Sequence, residues 1–313
     1  MKLFSTLIIT LLLLASPDLF WGFYAHSLIN RLAVFSLPPE LIEFYKPHIQ
    51  YITEKAVNPD RRRYAVKGEA EKHFIDLDNY GDSALAILPI HWHDAVEKFS
   101  EDTLRANGIG PWSAYLTFIN LTKAFEQKNT DAILRLSADL GHYLADLNVP
   151  LHTTKNYNGQ LTGQVGIHGF WESRVPELLA KDYALWIGQA EYVPHPQQSI
   201  WDAVAHAHSQ VDSVLSIERS LTESFSADQK YSYEERNNQT VRVYSNDFST
   251  AYAAALDHQV ERQMRRSIKM IADFWFTAWV NAGQPDLSGI AEDQIEEEVI
   301  LPDGKVKARE HSN

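Results

Sequence analysis

GHYLADLNVPLHT, residues 141–153, places two histidines and an aspartate at the end of an apolar helical pattern. His142 and Asp146 are four residues apart, so both side chains project from one face of the predicted helix. Pro150 ends this helix, because proline disfavours helical geometry in the preceding residue and has no backbone N–H to donate. His152 follows just beyond the break, where the chain can fold back. An imidazole and a carboxylate on adjacent turns form a good edge for a divalent-metal site.

The same spacing occurs a second time in GIHGFWES, where His168 and Glu172 are four residues apart. A single pair of this kind is more often a surface ion pair than a set of metal ligands. Two pairs with His152 between them, in a chain without cysteine, favour a metal centre. Zinc suits it best, because zinc accepts imidazole nitrogen and carboxylate oxygen in open geometries.

Histidines and acids upstream of this region are further candidates. They lie in the stretches WGFYAH at 21–26, NPDRRR at 58–63 and HFIDLDNYG at 73–81. None is specific alone: Asp60 fits a turn after proline, His73 fits the surface edge of a helix, and the aromatic residues of the first stretch fit a cover over a core edge. A free α-amino group at Trp21 would add a chelating group, because it deprotonates near pH 8 and can bind a metal together with its own carbonyl oxygen.

Two other histidine pairs, in HWHD at 91–94 and HAH at 206–208, are interpreted as surface histidines. Alternate residues on a helix point about 200° apart, so such a pair cannot easily share an ion.

The first residues, MKLFSTLIITLLLLASPD, predict a secretory signal peptide within 1–20, because an apolar run too short to favour a membrane span follows a lysine. A buried N-terminal helix is the alternative. The cleavage point stays open: small residues such as Ala15 and Ser16 suit a signal peptidase better than Phe20 before Trp21. Only cleavage at Trp21 would free its amine. We expect an exported protein, in a bacterial periplasm or outside the cell, with no transmembrane segment in the mature chain.

Composition is that of a globular protein, with 45% hydrophobic and 22% charged residues among 313. The absence of cysteine excludes disulfides and thiolate sites. A net charge of -13 argues against nucleic-acid binding through a broad basic face, although bound metal could supply local positive charge.

Apolar residues recur at helical spacing along the chain, and alternating strand-like runs are scarce, so we predict an all-α fold. We expect a single multi-helix domain over 21–284, followed by a polar, acidic tail over 285–313. The predicted helices cover 26–36, 39–57, 84–106, 112–128, 130–147, 169–182, 196–222 and 246–282, and NPDRRR is predicted as a loop.

The motifs WGxxxH, PDxxR, HFxD, HxxxDxxxPxH and HxxxE, in this order, resemble the superfamily of zinc-dependent phospholipase C and single-strand-specific nucleases. They extend from Trp21 to Glu172, about half of the chain, and HYLADLNVPLH is the most specific of them. No motif after residue 196 matches. The resemblance implies an all-α protein with three zinc ions in a cleft, which hydrolyses phosphate esters through a metal-bound hydroxide.

Carried over residue by residue, the resemblance implies three ligand sets. The first zinc would be held by Asp60, His73, His142 and Asp146, its close partner by His152, His168 and Glu172, and the third by Trp21, His26 and the shared Asp146. Arg63 would neutralise a phosphate oxygen, and Asp60 would also orient the attacking water.

The substrate class is left open between single-stranded nucleic acid and phospholipid. Glu172 resembles the phospholipase branch, whereas Asp60–Arg63 and His73–Asp76 resemble the nuclease branch, which gives a slight preference for a nuclease. There Phe74 would stack an unpaired base and Asp76 would accept from its edge, although Phe74 also fits a core aromatic. A phospholipase would need exposed aromatic residues at the lipid surface, for which the candidates are Trp112, Tyr157 and Trp171. No stable protein partner is implied, and a non-catalytic exported module that keeps metal ligands for stability is the remaining alternative.

Overall fold

A computed structural model describes residues 22–236 and 239–288, and it confirms the all-α fold. Its α-helices are α1 Gly22–Val34, α2 Pro39–Tyr45, α3 Ile49–Lys55, α4 Asn58–Arg62, α5 Ala84–Ile87, α6 Trp92–Phe99, α7 Glu101–Ala106, α8 Gly110–Glu126, α9 Thr130–Asp146, α10 Ile167–Gly169, α11 Val175–Leu179, α12 Pro196–His208, α13 Val211–Ser224, α14 Ala227–Lys230, α15 Asn246–Ala255 and α16 Gln259–Asn281. Short 3-10 helices cover Ala70–His73, Leu77–Tyr80, Pro150–Thr153 and Ala180–Asp182, and a π-helical turn covers Phe170–Arg174.

Helix α9 lies at the centre of the molecule. It packs against α1, α3, α8 and α16, and every residue from 137 to 154 is buried. The last ten residues of α9 are therefore buried on every face, which places the polar residues near its end inside the core.

Helices α1 and α9 cross closely at Gly141. A Cβ on Gly141 would lie 2.2 Å from Oδ1 of the buried Asn30, whose amide nitrogen donates to the carbonyl of Ala138 at 3.1 Å. Only glycine allows this approach. One turn further along each helix, the crossing brings His26 of α1 to Asp146 of α9.

Several predicted helices are divided in the structure. The predicted helix 39–57 breaks at Pro47, which cannot continue a helix. The predicted helix 84–106 becomes three, separated near Pro89 and at Ser100, whose φ is 67°. Likewise 246–282 is interrupted at Asp257 and His258, both with positive φ. The predicted helices 169–182 and 196–222 are also divided. In the second of these, the first helix ends at His208.

One further expectation was wrong, and one feature was not predicted. NPDRRR, predicted as a loop, forms α4, with Pro59 in its first turn. An unpredicted antiparallel pair of strands, β1 Tyr231–Arg236 and β2 Gln239–Tyr244, lies between α14 and α15. Charged residues interrupt the alternation of apolar residues that is typical of a strand, so the sequence pattern did not indicate these two. The guanidinium carbon of Arg242 lies 4.4 Å from the centroid of the Tyr231 ring.

At the carboxyl end, the described chain continues past the predicted domain limit of 284. Leu287 is buried, and the indole of Trp279 donates to the carbonyl of Pro285. Residues 1–21 and 289–313, which include the predicted signal peptide, Trp21 and most of the predicted tail, lie outside the described residues. In the part of the chain that is described, no helix has the length and apolar character needed to cross a bilayer.

Candidate metal centre

The first group of side chains gathers around the end of α9. His142 and Asp146 come from α9, His73 from a 3-10 turn and Asp60 from α4. Asp146 Oδ2 is 2.9 Å from His73 Nδ1 and 3.2 Å from His142 Nε2, and the two histidine nitrogens are 3.1 Å apart. Asp60 Oδ1 is 3.7 Å from each of these nitrogens. Four potential ligand atoms therefore face one another.

The second group lies where the chain returns after Pro150. Helix α9, predicted to end before Pro150, ends at Asp146, and the 3-10 turn Pro150–Thr153 carries His152 back toward it. His152 Nε2 is 3.2 Å from both His168 Nε2 and Glu172 Oε2, and the last two atoms are 3.0 Å apart. Glu172 belongs to the π-helical turn, a distortion common at functional sites.

Asp146 connects the two groups to a third. Its other oxygen, Oδ1, is 3.3 Å from His26 Nε2 and 3.8 Å from His152 Nδ1. The rings of His26 and His142 stack with centroids 4.0 Å apart. Nδ1 of His26 is buried without a hydrogen-bond partner. Trp21, predicted as the remaining ligand of a third ion, lies outside the described residues, so this assignment stays a prediction.

Backbone carbonyls orient three of the histidines. The Nδ1 atoms of His142, His152 and His168 lie 2.8, 2.5 and 3.2 Å from the carbonyl oxygens of residues 56, 73 and 157. A carbonyl can only accept, so each Nδ1 carries the proton and each Nε2 keeps a lone pair when the ring is neutral. The same arrangement fixes the tautomer of histidines that bind metals.

When these imidazole rings are neutral, their Nε2 lone pairs point toward other potential ligand atoms. In the second group, two Nε2 acceptors and a carboxylate oxygen lie within 3.2 Å, an arrangement that is repulsive unless a proton or a cation lies between them. Ligand atoms of a tetrahedral zinc at about 2.0–2.1 Å are about 3.3 Å apart. The separations of 2.9 to 3.7 Å in both groups fit that geometry.

Electrostatics follow from this crowding. Burial raises the pKa of Asp146, but the neighbouring His142 and His152 hold it well below its usual range. Burial likewise raises the pKa of Glu172, and His168 with His152 lowers it well below normal. Burial lowers the pKa of His142, yet the carboxylates of Asp146 and Asp60 raise it to about 9. The lowered pKa values keep the carboxylates of Asp146 and Glu172 anionic at neutral pH, the form that binds a cation.

Two of the other three histidines in these groups have lowered pKa values. Burial lowers the pKa of His73 and of His168, and the charge of Arg63 adds to the effect in both cases. Arg63 is 4% exposed, its Nε has no hydrogen-bond partner, and Nη1 is 3.9 Å from Asp60 Oδ1. One arginine thus acts on both groups at once. The side chains of Asp60 and Glu172 are 19% and 18% exposed, so each group has an edge open to solvent.

A buried ionic network, which the sequence did not indicate, supports the first group from behind. Arg62 donates to Asp139 at 2.9 Å and to Glu69 at 3.3 Å, and the hydroxyl of Tyr143 donates to Glu69. Burial raises the pKa of Glu69, but Arg62 and Lys72 lower it to about 2. The ring of Tyr143 packs edge-on against His73 and His142, with centroids 5.6 and 5.8 Å apart.

The predicted substrate-binding residues are both buried. Phe74 is 7% exposed and lies against the turn at Gly108, where φ is +89° and a Cβ would overlap the Phe74 backbone. This burial favours the core-aromatic alternative for Phe74. Asp76 is 8% exposed, and its backbone N–H donates to the carbonyl of Asn107.

The other aromatic and histidine candidates are also placed by the structure. Trp112 and Trp171 are 5% and 3% exposed, so neither is available to a lipid surface, whereas Tyr157 is half-buried. His91 and His93 are exposed. Neither HWHD nor HAH contributes to a group of three potential ligands in the described part of the chain.

No known family model matches the sequence. No curated protein matches it either. Among solved structures, the alpha-toxin of Clostridium perfringens, isolated from avian strain SWCP, is similar, with a TM-score of 0.46 and 12% sequence identity over 85% of this chain and 65% of that chain. This chain thus spans just under two thirds of the toxin chain. Likeness at this level carries no conclusion about activity, which must be inferred from the three groups themselves.

Proposed function

We propose that this protein is a zinc-dependent phosphodiesterase that acts on single-stranded nucleic acid. The observation that carries the proposal is the set of mutual distances in the first group. Five of the six edges among Asp60, His73, His142 and Asp146 measure 2.9 to 3.7 Å, as tetrahedral zinc ligands require. The second group adds His152, His168 and Glu172, three ligands with an open position, which is typical of catalytic rather than structural zinc.

Zinc bound in both groups would supply Lewis-acid polarisation of a phosphodiester and a nucleophile at neutral pH. The chain's own residues supply the rest. Arg63 neutralises a non-bridging phosphate oxygen through its planar fork, since it lies beside Asp60, its charge acts on histidines of both groups, and its buried Nε has no hydrogen-bond partner. Asp60, partly exposed, orients the attacking water and accepts its proton. The buried histidines keep water out of the inner side of the site.

Nucleic acid is preferred because two motifs favour it, Asp60–Arg63 and His73–Asp76, and because Trp112 and Trp171 are buried. Phe74 and Asp76 are buried as well, so stacking of a base has to come from a residue other than Phe74. Duplex bases are unavailable for stacking, so single strands are the expected form. We also propose that the protein is exported and that the segment before Trp21 is removed. Trp21, with His26 and Asp146, would then hold a third ion.

Phospholipid head groups are the second candidate substrate. Leu161 and Val165 are 63% and 61% exposed on the loop whose Tyr157 carbonyl orients His168. Such a pair beside the site could enter a lipid interface. Glu172 in the motif HxxxE favours the same branch.

The test measures zinc content, then compares release of mononucleotides from denatured DNA with release of phosphocholine from lecithin vesicles. We expect at least two zinc ions per chain and the first activity. Release of phosphocholine alone would establish the second candidate. Fewer than two ions in folded, zinc-supplied protein, with neither activity, would refute the proposal and favour a non-catalytic module.

A further inference from the structure

Three consecutive arginines, Arg61, Arg62 and Arg63, occupy three different environments. Arg62 is 8% exposed and paired with buried acids, and Arg63 is 4% exposed beside the ligand groups. Arg61 is exposed to solvent. Its guanidinium carbon lies 5.5 Å from the centroid of the Phe23 ring, and Nη1 donates to Asn58 Oδ1 at 3.3 Å. The outward arginine is therefore held over an aromatic ring.

The position of this pair relative to the metal centre follows from its neighbours in sequence. Phe23 comes directly after Gly22, where a Cβ would be 3.1 Å from Glu172 Oε1. Arg61 comes directly after Asp60, which faces His73 and His142. The contact between Phe23 and Arg61 therefore links the chain segment beside Glu172 to the segment that carries Asp60. Both of these carboxylates are partly exposed.

The chemistry of the pair suits a nucleotide. A guanidinium stacked on an aromatic ring is partly desolvated and still presents N–H donors to an anion. Unpaired bases stack on aromatic rings and on arginine planes, and phosphates accept from arginine. In a chain with a net charge of -13, a fixed cation beside an opening edged by carboxylates also offsets repulsion of a polyanion.

We propose that Phe23 and Arg61 form a subsite for the nucleotide next to the scissile phosphodiester, in which Arg61 binds the flanking phosphate and the pair stacks the flanking base. This inference rests on the proposed function and specifies its substrate: the enzyme recognises a strand with at least two consecutive phosphates. A phospholipid or a simple phosphodiester, with one phosphate, gains nothing from this subsite.

The experiment uses the zinc-loaded full chain and its variants Arg61→Ala, Arg61→Lys and Phe23→Leu. Arg262→Ala is the matched control, because Arg262 is an exposed arginine on α16 that pairs with the exposed Asp257, and its loss changes the net charge equally. Steady-state kinetics are measured on bis(4-nitrophenyl) phosphate and on an oligothymidylate. Binding of the fluorescein-labelled oligothymidylate is measured by anisotropy at several salt concentrations, which needs no turnover.

With Arg61→Ala we expect the KM and the Kd for the oligothymidylate to rise about tenfold, with kcat and hydrolysis of the small ester unchanged within twofold. The slope of log Kd against log salt should fall by about 0.7, the value for one phosphate contact to a single strand. Arg61→Lys should restore the salt slope but not the full affinity, and Phe23→Leu should lose affinity with the slope kept. Arg262→Ala should match the unmodified protein.

Equal oligonucleotide affinity and salt slope in Arg61→Ala and Arg262→Ala would overturn the subsite. So would a loss in Arg61→Ala that is equally large on the small ester. If the unmodified protein hydrolyses neither substrate, the proposed function fails, whereas the anisotropy measurement still decides whether Arg61 contacts the strand.

Discussion

Replacement of Gly141 by alanine tests the close crossing of α1 and α9. The new Cβ would lie 2.2 Å from Asn30 Oδ1, about 1.2 Å short of ordinary contact, and would break the bond from Asn30 to the Ala138 carbonyl. Overpacking of this kind costs about 1–3 kcal/mol and the lost hydrogen bond about 1 kcal/mol. The higher helix propensity of alanine stabilises the protein by about 1 kcal/mol. We expect Gly141→Ala to destabilise the protein by about 1–3 kcal/mol.

The double-mutant cycle with Asn30→Ala makes this prediction specific. Without the Asn30 side chain the overlap disappears, so Gly141→Ala should then stabilise the protein by about 1 kcal/mol through helix propensity alone. The two substitutions should therefore couple by at least about 2 kcal/mol. Denaturant unfolding of the four proteins measures this. If Gly141→Ala stabilises the protein with Asn30 intact, or if the effects are additive, the crossing is not as close as described.

Three further predictions concern the metal centre and its support. Arg63→Ala should lower kcat/KM for phosphodiester hydrolysis by about a hundredfold, because a preorganised donor to the transition state is lost. The zinc content should not change. Loss of zinc together with activity would contradict the role proposed for Arg63. The free energy of unfolding of metal-free protein should fall between pH 6.5 and about 9, because the raised pKa of His142 gives stability that is complete below the pKa of the unfolded state and is lost as pH rises through the pKa of the folded state. Zinc affinity should rise over the same interval as the proton leaves His142. An unfolding free energy of chelator-treated protein that does not change with pH would refute this. Tyr143→Phe should lower the free energy of unfolding by about 1–3 kcal/mol, because the buried Glu69 loses a hydrogen-bond donor. The control Tyr233→Phe, at a side chain that is 72% exposed, should leave the free energy of unfolding almost unchanged. Denaturant unfolding measures both.

The part of the site that spacing predicts is local. An interval of four residues on a helix fixes the relation of His142 to Asp146 whatever the rest of the chain does, and Pro150 dictates that the chain leaves the helix before His152. The candidate metal ligands within the described residues do meet in space, and their binding of metal stays a prediction.

Contacts between distant segments could not be predicted in this way. Nothing near Glu69 in sequence indicates that it meets Tyr143, and nothing near Phe23 indicates Arg61. The π-helical turn at Glu172 also has no local signature. The divided helices were missed for a related reason: apolar periodicity continues across Asp257 and His258, while the backbone changes direction there.

The hydrogen-bond acceptors for His142, His152 and His168 belong to the main chain at residues 56, 73 and 157. A carbonyl persists whatever side chain its residue bears, so no single amino-acid replacement at those three positions deletes the group that sets the imidazole tautomer. Only a shift in the path of the polypeptide can do so. A designed change in the donor atoms that these histidines present would therefore have to alter the histidines themselves or reshape loops.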